Sequence, residues 1–427
     1  MLSPQVPQSP MKLCFFNRSY WPDQAATGQL LTELAEDLVA RHGCTVSVVA
    51  GRALHGRAGP KESLLPIRTE ERNGVRILRA NGTAFSRRRF AGRASNYVSY
   101  FASAFAASWK LGPQDIVVSL TDPPILGLAA LRAARRARAR FVFLCEDIFP
   151  EVASLLADFH NETINRTLDR INRHLLREAD AVVALGDRMK RRLVEEKGAD
   201  PGRVHVIHNW ADCEAIAPGQ KDNAFARAHG LCDRFVLMHS GNVGMSQNLD
   251  VLIEAAARLQ SRARLVVAIV GDGAMRPSLQ ETAARRGLTN VRFFPYQPKE
   301  LLDESFATAD AFLVSLKQGL EGYIVPSKLY GILASGRPFV AAVDPSCEAA
   351  VIARDQHCGT VAAPGQPDEL ASAIAALCDD PTAARVMGQN ARRAAWSYDR
   401  RVAVQAYYDL FAGLGPAISP AGPAGRT

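Results

Sequence analysis

The stretch Leu320-Glu-Gly-Tyr-Ile-Val-Pro-Ser-Lys-Leu-Tyr-Gly-Ile-Leu-Ala-Ser-Gly-Arg-Pro338 gathers the residue types that a charged, hydroxyl-rich ligand needs. It follows an apolar strand candidate, Ala311-Phe-Leu-Val-Ser315, which places it at a strand's carboxyl end. Pro326 suits the first turn of a helix, where its missing N–H costs nothing, and Ser327 suits a cap. A helix start carries partial positive charge and free amides, and Lys328 beside it adds a full charge. Glu321, just outside, offers a carboxylate to hydroxyl groups. A cationic pocket for phosphate next to a carboxylate for hydroxyls is what a sugar joined to a nucleoside diphosphate requires.

Other segments supply complementary chemistry. His239-Ser-Gly-Asn-Val-Gly244 follows a strand candidate, and Gly241, Asn242 and Gly244 can aim backbone N–H groups at a diphosphate. Gly271-Asp-Gly273 follows another strand, but Arg276 stands where a dinucleotide fingerprint needs its third glycine, which argues against NAD. On the residues alone, Gly271 and Asp272 read as a turn. Tyr296, as plain chemistry, is a stacking candidate and no more. Gly28 either permits a tight turn or lets the backbone approach a phosphate or an acceptor. Glu146-Asp-Ile-Phe-Pro-Glu151 lies at the carboxyl end of the strand candidate Arg140–Leu144. There Asp147 can orient or deprotonate an acceptor hydroxyl with Glu151 in support, or the acidic residues simply stabilise a helix start. His208 can serve as a base, although a lone histidine at a strand end is more often structural. No His, Asp or Cys cluster has metal-ligand spacing.

These residues need a scaffold, and the chain alternates strand and helix patterns throughout. Lys12–Phe16, Cys44–Ala50, Val75–Leu78, Asp115–Ser119, Arg140–Leu144, Ala181–Ala184 and Val204–Ile207 read as strands with helices between most of them. After Asn209-Trp-Ala-Asp212 the composition shifts, and Ala217-Pro-Gly-Gln-Lys-Asp222 reads as a linker. A second alternating unit follows, with strands from Phe235 to Ala362. Strand–helix–strand order implies right-handed crossovers and parallel sheets. The expected fold class is therefore α/β, with two tandem Rossmann-like, doubly wound domains and a cleft between the carboxyl edges of their sheets. The expected division is a disordered leader 1–10, a first domain 11–213, a second domain 223–395, a last helix 396–412 and a disordered tail 413–427.

Composition narrows the class further. The chain has 427 residues, 48% hydrophobic and 22% charged, and no apolar run reaches the length of a membrane span. Its N-terminus lacks the pattern of a signal peptide. Eight scattered cysteines read as reduced, buried thiols of a cytoplasmic protein. The net charge is +8, with basic clusters at Arg87–Arg89 with Arg93 and between Arg132 and Arg140. The first leads into Tyr97, Tyr100, Phe101, Phe105 and Trp109, aromatics on one helical face that suit either a core or an anionic membrane surface. Nucleic acid is disfavoured, because no nucleic-acid module is present.

The segment from Glu321 to Pro338 resembles the donor-binding motif of the family 4 glycosyltransferases, which have the GT-B fold. Glu321, Gly322, Pro326, Ala334, Gly336 and Pro338 match it, whereas Leu329 or Gly331 stands where that motif has a second Glu. Asn242 and Gln247 replace the usual Arg and Lys. The Pro-Ser-Lys variant is similar to the branch that builds O-antigen, colanic-acid-type and capsular polysaccharides, including fucosamine transferases. The Asp147 segment resembles the Asp-x-(Trp/Phe)-Pro-Glu of that branch. The resemblance implies a retaining, metal-independent hexosyltransferase without a resident cofactor, using a UDP- or GDP-linked sugar and a lipid-linked saccharide at the inner membrane face. It places Asp147 and Glu321 in catalysis and Gly28, Gly241, Asn242, Gly271, Asp272, Tyr296, Ser327 and Lys328 around the donor. It makes Asp147 and Glu151 acceptor ligands and sends the last helix back to the first domain. Two other readings stay open: a hydrolysing sugar-nucleotide 2-epimerase, and a non-catalytic partner protein.

Overall fold

The computed structural model describes residues 10–23, 25–52, 67–85, 90–156 and 161–415. The expected leader therefore lies outside the described residues apart from Pro10, as do Arg87–Arg89 and the tail from 416.

Fourteen strands form two sheets among these residues. The first sheet holds β1 (Lys12–Phe16), β2 (Thr45–Ala50), β3 (Ile67–Arg72), β4 (Val75–Ala80), β5 (Ile116–Ser119), β6 (Arg140–Cys145), β7 (Ala181–Ala184) and β8 (Val204–Val206). Its order is β3-β4-β2-β1-β5-β6-β7-β8, parallel except for the β3–β4 pair. The second sheet holds β9 (Phe235–Ser240), β10 (Leu265–Val270), β11 (Val291–Phe294), β12 (Ala311–Ser315), β13 (Phe339–Ala342) and β14 (Gly359–Ala362). Its order is β11-β10-β9-β12-β13-β14, all parallel. The central strands are buried on both faces, as the apolar runs VVA and LVVAIV require of a sheet with helices on either side. The chain is thus two Rossmann-like α/β units. Strand order reverses at β1/β5 and at β9/β12, and each reversal opens a crevice at the carboxyl edge of its sheet.

One strand has no counterpart among the sequence expectations. The segment β3 reads Ile-Arg-Thr-Glu-Glu-Arg, sits at the sheet edge and is largely exposed, so it lacks the apolar alternation that reveals half-buried strands.

The last helix, Arg400–Leu414, returns to the first unit, where Val404, Tyr407 and Phe411 join its core. Phe411 meets Phe15 of β1 edge-on at 6.2 Å, and Arg400 grips Asp37 with two 2.7 Å hydrogen bonds. It begins later and ends later than the expected 396–412, because Trp396–Tyr398 is a single 3-10 turn and Asp399 caps the helix through the Arg401 amide.

The aromatic stripe is split by the helix Phe90–Ser108 that carries it. Tyr100 is in the core and donates to the Val49 carbonyl, while Phe105 and Trp109 face outward. Trp109 lies under the guanidinium groups of Arg132 and Arg136, at 5.9 and 4.8 Å.

Candidate active site

Two loops at the carboxyl edge of the second sheet lock together because neither has side chains at the contact. A Cβ on Gly271 would come within 1.9 Å of the Gly241 carbonyl, and one on Gly273 within 2.3 Å of the Val243 carbonyl. Both have positive φ, at 137° and 158°. This packing corrects the expected use of the backbone amides. Gly241 N–H donates to the Val270 carbonyl, Val243 N–H to the Asp272 carbonyl and Gly244 N–H to the Gln247 side chain. Gly241 and Gly244 therefore hold the loop together, and of these amides the Asn242 N–H alone has no acceptor among the described residues. Gly241 keeps a second role. With φ at 123°, its Cα face lies against Lys328, whose Nζ would be 3.7 Å from an added Cβ.

Lys328 opens the helix Lys328–Ala334. Its Nζ lies 3.1 and 3.4 Å from the two ring nitrogens of His239, the penultimate residue of β9. His239 is fully buried, and its Nε2 also contacts the Asn242 carbonyl at 3.2 Å. The network is satisfied when Nε2–H donates to Asn242 and a ring lone pair accepts from Lys328. Burial and the Lys328 charge hold His239 well below the usual histidine range. Burial alone lowers Lys328 to about 7, and it forms no ion pair among the described residues. An anion entering beside it would restore its charge. Ser327 does not cap this helix: its backbone is already helical and its hydroxyl makes no capping bond. Asp272 is exposed on its turn, with Oδ1 accepting from Gly273 N–H. Tyr296 is 44% exposed at the same edge, free to stack, whereas Phe294 packs into the core against Phe225 and His229. Arg337 lies elsewhere, donating to Gly219 and Ala307 carbonyls.

The loop 321–324 is the bridge between the units. Ile148 N–H donates to the Tyr323 carbonyl at 3.0 Å, and Asp147 pairs with Ile324 in an isolated bridge. Arg192, on the first unit's helix Asp187–Glu195, donates to the Glu321 carbonyl at 2.7 Å and to its carboxylate at 3.0 Å. The same guanidinium covers the Tyr323 ring at 3.9 Å. Gly322 has φ at 76°, and a Cβ there would meet Arg188 at 2.7 Å. Lys317 reaches across to the Leu155 carbonyl at 2.8 Å, and Glu348 accepts from Arg188 N–H at 3.2 Å. The carboxylate expected to hold sugar hydroxyls is thus half occupied by an arginine of the other unit.

On the first unit's side, Asp147 follows β6 and its N–H donates to Thr121 Oγ1 at 3.2 Å. Burial, reinforced by the charge of Asp122, raises it to about 7. Asp122 is itself held by Arg18, at 2.9 and 3.1 Å. Glu146 projects into a small pocket lined by Leu30, Leu144, Trp210 and Tyr407, where burial and then Asp147 raise it to about 8. Gly28 lies in the first turn of the helix Ala26–His42, and a Cβ there would press on the Ser19 backbone at 3.2 Å. Glu151 is engaged differently from the expected acceptor ligand. Lys197, almost wholly buried, binds it at 2.5 Å and binds Asp169 at 2.6 Å, so Glu151 helps to neutralise a buried cation. His208 stays structural in its contacts, with Nδ1 3.1 Å from the Leu185 carbonyl and its ring edge-on to Tyr398.

Residues 26–210 match the family described as glycosyl transferase 4-like domain, and residues 222–394 match the family described as glycosyl transferases group 1. The chain belongs to the glycosyltransferases. Between them the two matches cover both units of the transferase. It is 28% identical over 282 residues to the probable glycosyltransferase WbjE of Pseudomonas aeruginosa, over 65% of this chain and 70% of that protein. It is 33% identical over 164 residues to the putative colanic acid biosynthesis glycosyl transferase WcaI of Escherichia coli K12, over 38% of this chain and 40% of that protein. A D-inositol 3-phosphate glycosyltransferase of Catenulispora acidiphila is 32% identical, over 50% of this chain and 51% of its own length. The match therefore spans only about half, or less, of the last two relatives. Among solved structures, HepE from Anabaena in complex with UDP has a TM-score of 0.72 at 18% identity, covering 94% of this chain and 100% of its own. WaaG, a glycosyltransferase involved in lipopolysaccharide biosynthesis, has a TM-score of 0.68 at 18% identity, covering 94% and 100%. These neighbours establish the GT-B fold of the transferase.

Three residues of the transferase site escaped sequence reasoning. His239 carried one signal, a histidine ending the apolar run Phe-Val-Leu-Met. Arg192 carried none, because it meets Glu321 from 129 residues away. Glu146 was visible as one of three neighbouring carboxylates, but its apolar surroundings come from residues dispersed over the chain.

Proposed function

We propose that the transferase moves a hexose-type sugar from a UDP- or GDP-linked donor to a hydroxyl of a lipid-linked saccharide, in bacterial surface polysaccharide biosynthesis and with retention at the anomeric carbon. The observation that carries this reading is Lys328, held by neutral His239 against Gly241 without a carboxylate partner. A cation in that state is completed by an anionic ligand, and a diphosphate leaving group gains negative charge as the glycosidic bond breaks. The bond electrons go to the diphosphate oxygen, the acceptor oxygen bonds the anomeric carbon, and the acceptor proton leaves. Asp147, raised to about 7, is poised to take that proton near neutral pH. Glu321 would hold sugar hydroxyls once Arg192 yields part of its grip, and Tyr296 would cover the base. In this reading protein cations neutralise the leaving group without a metal.

The names of the relatives support the polysaccharide context, and HepE with bound UDP supports a nucleotide donor. Docking at an anionic membrane face belongs to the same proposal. It is supported by outward Phe105 and Trp109 beside Arg132 and by the net charge of +8. No helix among the described residues is long and apolar enough to cross a membrane.

The deciding experiment incubates the protein with UDP- or GDP-sugars, with and without lipid-linked saccharides, in the presence and absence of EDTA. Transfer to the acceptor with the donor's anomeric configuration, undiminished by EDTA, is expected. An epimerised product from donor alone would overturn the reading.

A further inference from the structure

The second unit has a large cavity at the edge of its sheet opposite to the phosphate loops. Its volume is about 860 Å³. Phe235 begins β9 in this cavity and Ser240 ends the strand beside Gly241. At about 3.3 Å per residue the cavity is therefore roughly 17–20 Å from the Lys328 site.

The floor is apolar, with Phe235, Leu265, Pro338 and Ala384 in the wall. The rim is cationic, and most of its charge is not neutralised. Lys221 is paired with Asp310, and Arg262 with Asp379 at 2.6 and 2.9 Å. Those are the acidic residues lining the cavity. Four of the remaining five guanidinium groups bond only uncharged carbonyls. Arg234 donates to Ala263 at 2.6 Å, and Arg264 to Asp233 at 3.1 Å. Arg337 donates to Gly219 and Ala307 at 2.9 and 2.7 Å. Its Nε is buried without a partner. Arg392 donates to Cys213, Ile216 and Ala334. Arg385 is exposed and forms no hydrogen bond or ion pair among the described residues. A carbonyl satisfies the N–H group but leaves the positive charge in place, so these four charges and that of Arg385 face one concavity. Guanidinium groups ringed around an apolar floor are matched by a multiply charged anion carrying a carbon body.

We propose that this cavity is a second anion-binding site for an organic phosphate, separate from the donor cleft. Its position gives it a route to activity. Pro218 and Lys221 of the linker line it, and Arg392 ties the carbonyls of Cys213 and Ile216, just ahead of the linker, to that of Ala334. A bound phosphate would draw these guanidinium groups toward itself and alter the tether between the two units. The site rests on charge and shape at this edge alone and is independent of the donor reading.

Calorimetry on the full chain, with the cleft first saturated by UDP, tests the site with three probes: inorganic pyrophosphate, a hexose phosphate and short-chain phosphatidic acid below its micelle concentration. At least one is expected to bind with one further equivalent. Binding of the hexose phosphate alone would identify a free metabolite, and of phosphatidic acid alone a lipid headgroup. Arg264→Gln with Arg385→Glu is expected to weaken this second binding by about tenfold or more, from loss and reversal of charge. The same variant should leave UDP affinity unchanged, since both positions are remote from the cleft. Lys328→Ala should show the opposite pattern. No binding of any probe with UDP present, or second-site binding that survives the Arg264 and Arg385 changes, would overturn the proposal. Arg385 has no partner to lose, and unfolding in urea verifies that the double variant is folded.

Discussion

At the scale of single residues, the site is defined by ionisable groups moved away from their usual ranges. Lys328 has its ordinary range lowered to about 7 by burial, so above that pH the free enzyme holds it mostly neutral. A bound diphosphate favours the charged form and must bring a proton with it. UDP affinity should therefore fall roughly tenfold per pH unit between 7.5 and 9, with proton uptake in calorimetry across buffers of different ionisation enthalpy. Lys328→Arg, which stays charged, should remove the slope, and a flat wild-type profile would detach Lys328 from the phosphate. Lys328→Ala should weaken UDP by about 2 kcal/mol, the scale of a charge-assisted hydrogen bond, and uridine far less. Asp147→Asn should lower kcat by about a hundredfold with near-normal UDP binding, as expected of a lost general base. Unchanged turnover would leave Asp147 as a loop residue. Glu146 supplies a stability test. Its folded-state value, about 8, lies above its usual one, so the folded chain binds more protons than the unfolded chain between roughly pH 4 and 8, and stability falls as pH rises through that window. Glu146→Gln should lessen this fall, leaving the part that Asp147, itself raised to about 7, contributes, and should raise the melting temperature relative to wild type at pH 8 more than at pH 5.

At the scale of elements, the loop 321–324 behaves as a clasp. Arg192 and Glu321 are both largely buried, with side chains 10% and 13% exposed, and the same arginine also binds Glu196 at 2.6 Å. Arg192→Met strands the Glu321 carboxylate and should destabilise the protein by about 3 kcal/mol in urea unfolding. Replacing Glu321 by Gln in that background should recover part of the loss. If the single change costs nothing, the clasp is not a stabilising contact. The limits of sequence reading are also set at this scale. Lys328 was legible because proline, serine and lysine follow one another at a strand end, a purely local pattern. The parallel order of both sheets was legible because their strands are buried on two faces and read as apolar runs. β3 was not, since an edge strand wet on both sides has no period to detect. The glycine loop was half legible: its glycines announced a close approach, but the approach is to a second glycine loop as much as to a ligand. Only the fold could bring Arg192 to Glu321 or place leucines and Tyr407 around Glu146.

For the whole molecule, the proposed lipid-linked acceptor raises the question of how a protein with no spanning helix among its described residues would reach it. The Phe90–Ser108 helix sends Tyr100 inward and leaves Val98 and Phe105, with Trp109 in the turn that follows it, exposed by 59%, 37% and 59%. Those three recur at helical spacing, so they share one outward face. Trp109 between Arg132 and Arg136 combines an interfacial aromatic with cations, and each cation near an anionic surface contributes about 1 kcal/mol. In the proposed reading such a face would hold the first unit at the bilayer. Co-sedimentation with vesicles containing a third of phosphatidylglycerol should recover most of the wild-type protein at low salt. Recovery should fall steeply as salt approaches half-molar, because the attraction is screened within a Debye length. Phe105→Ser with Trp109→Ser should reduce binding by about tenfold or more while leaving UDP affinity intact, since neither residue touches the cleft. Activity on a water-soluble acceptor should survive that change, and activity on the same saccharide presented in vesicles should not. Equal loss on both acceptors would mean that this face supports the fold rather than the membrane contact.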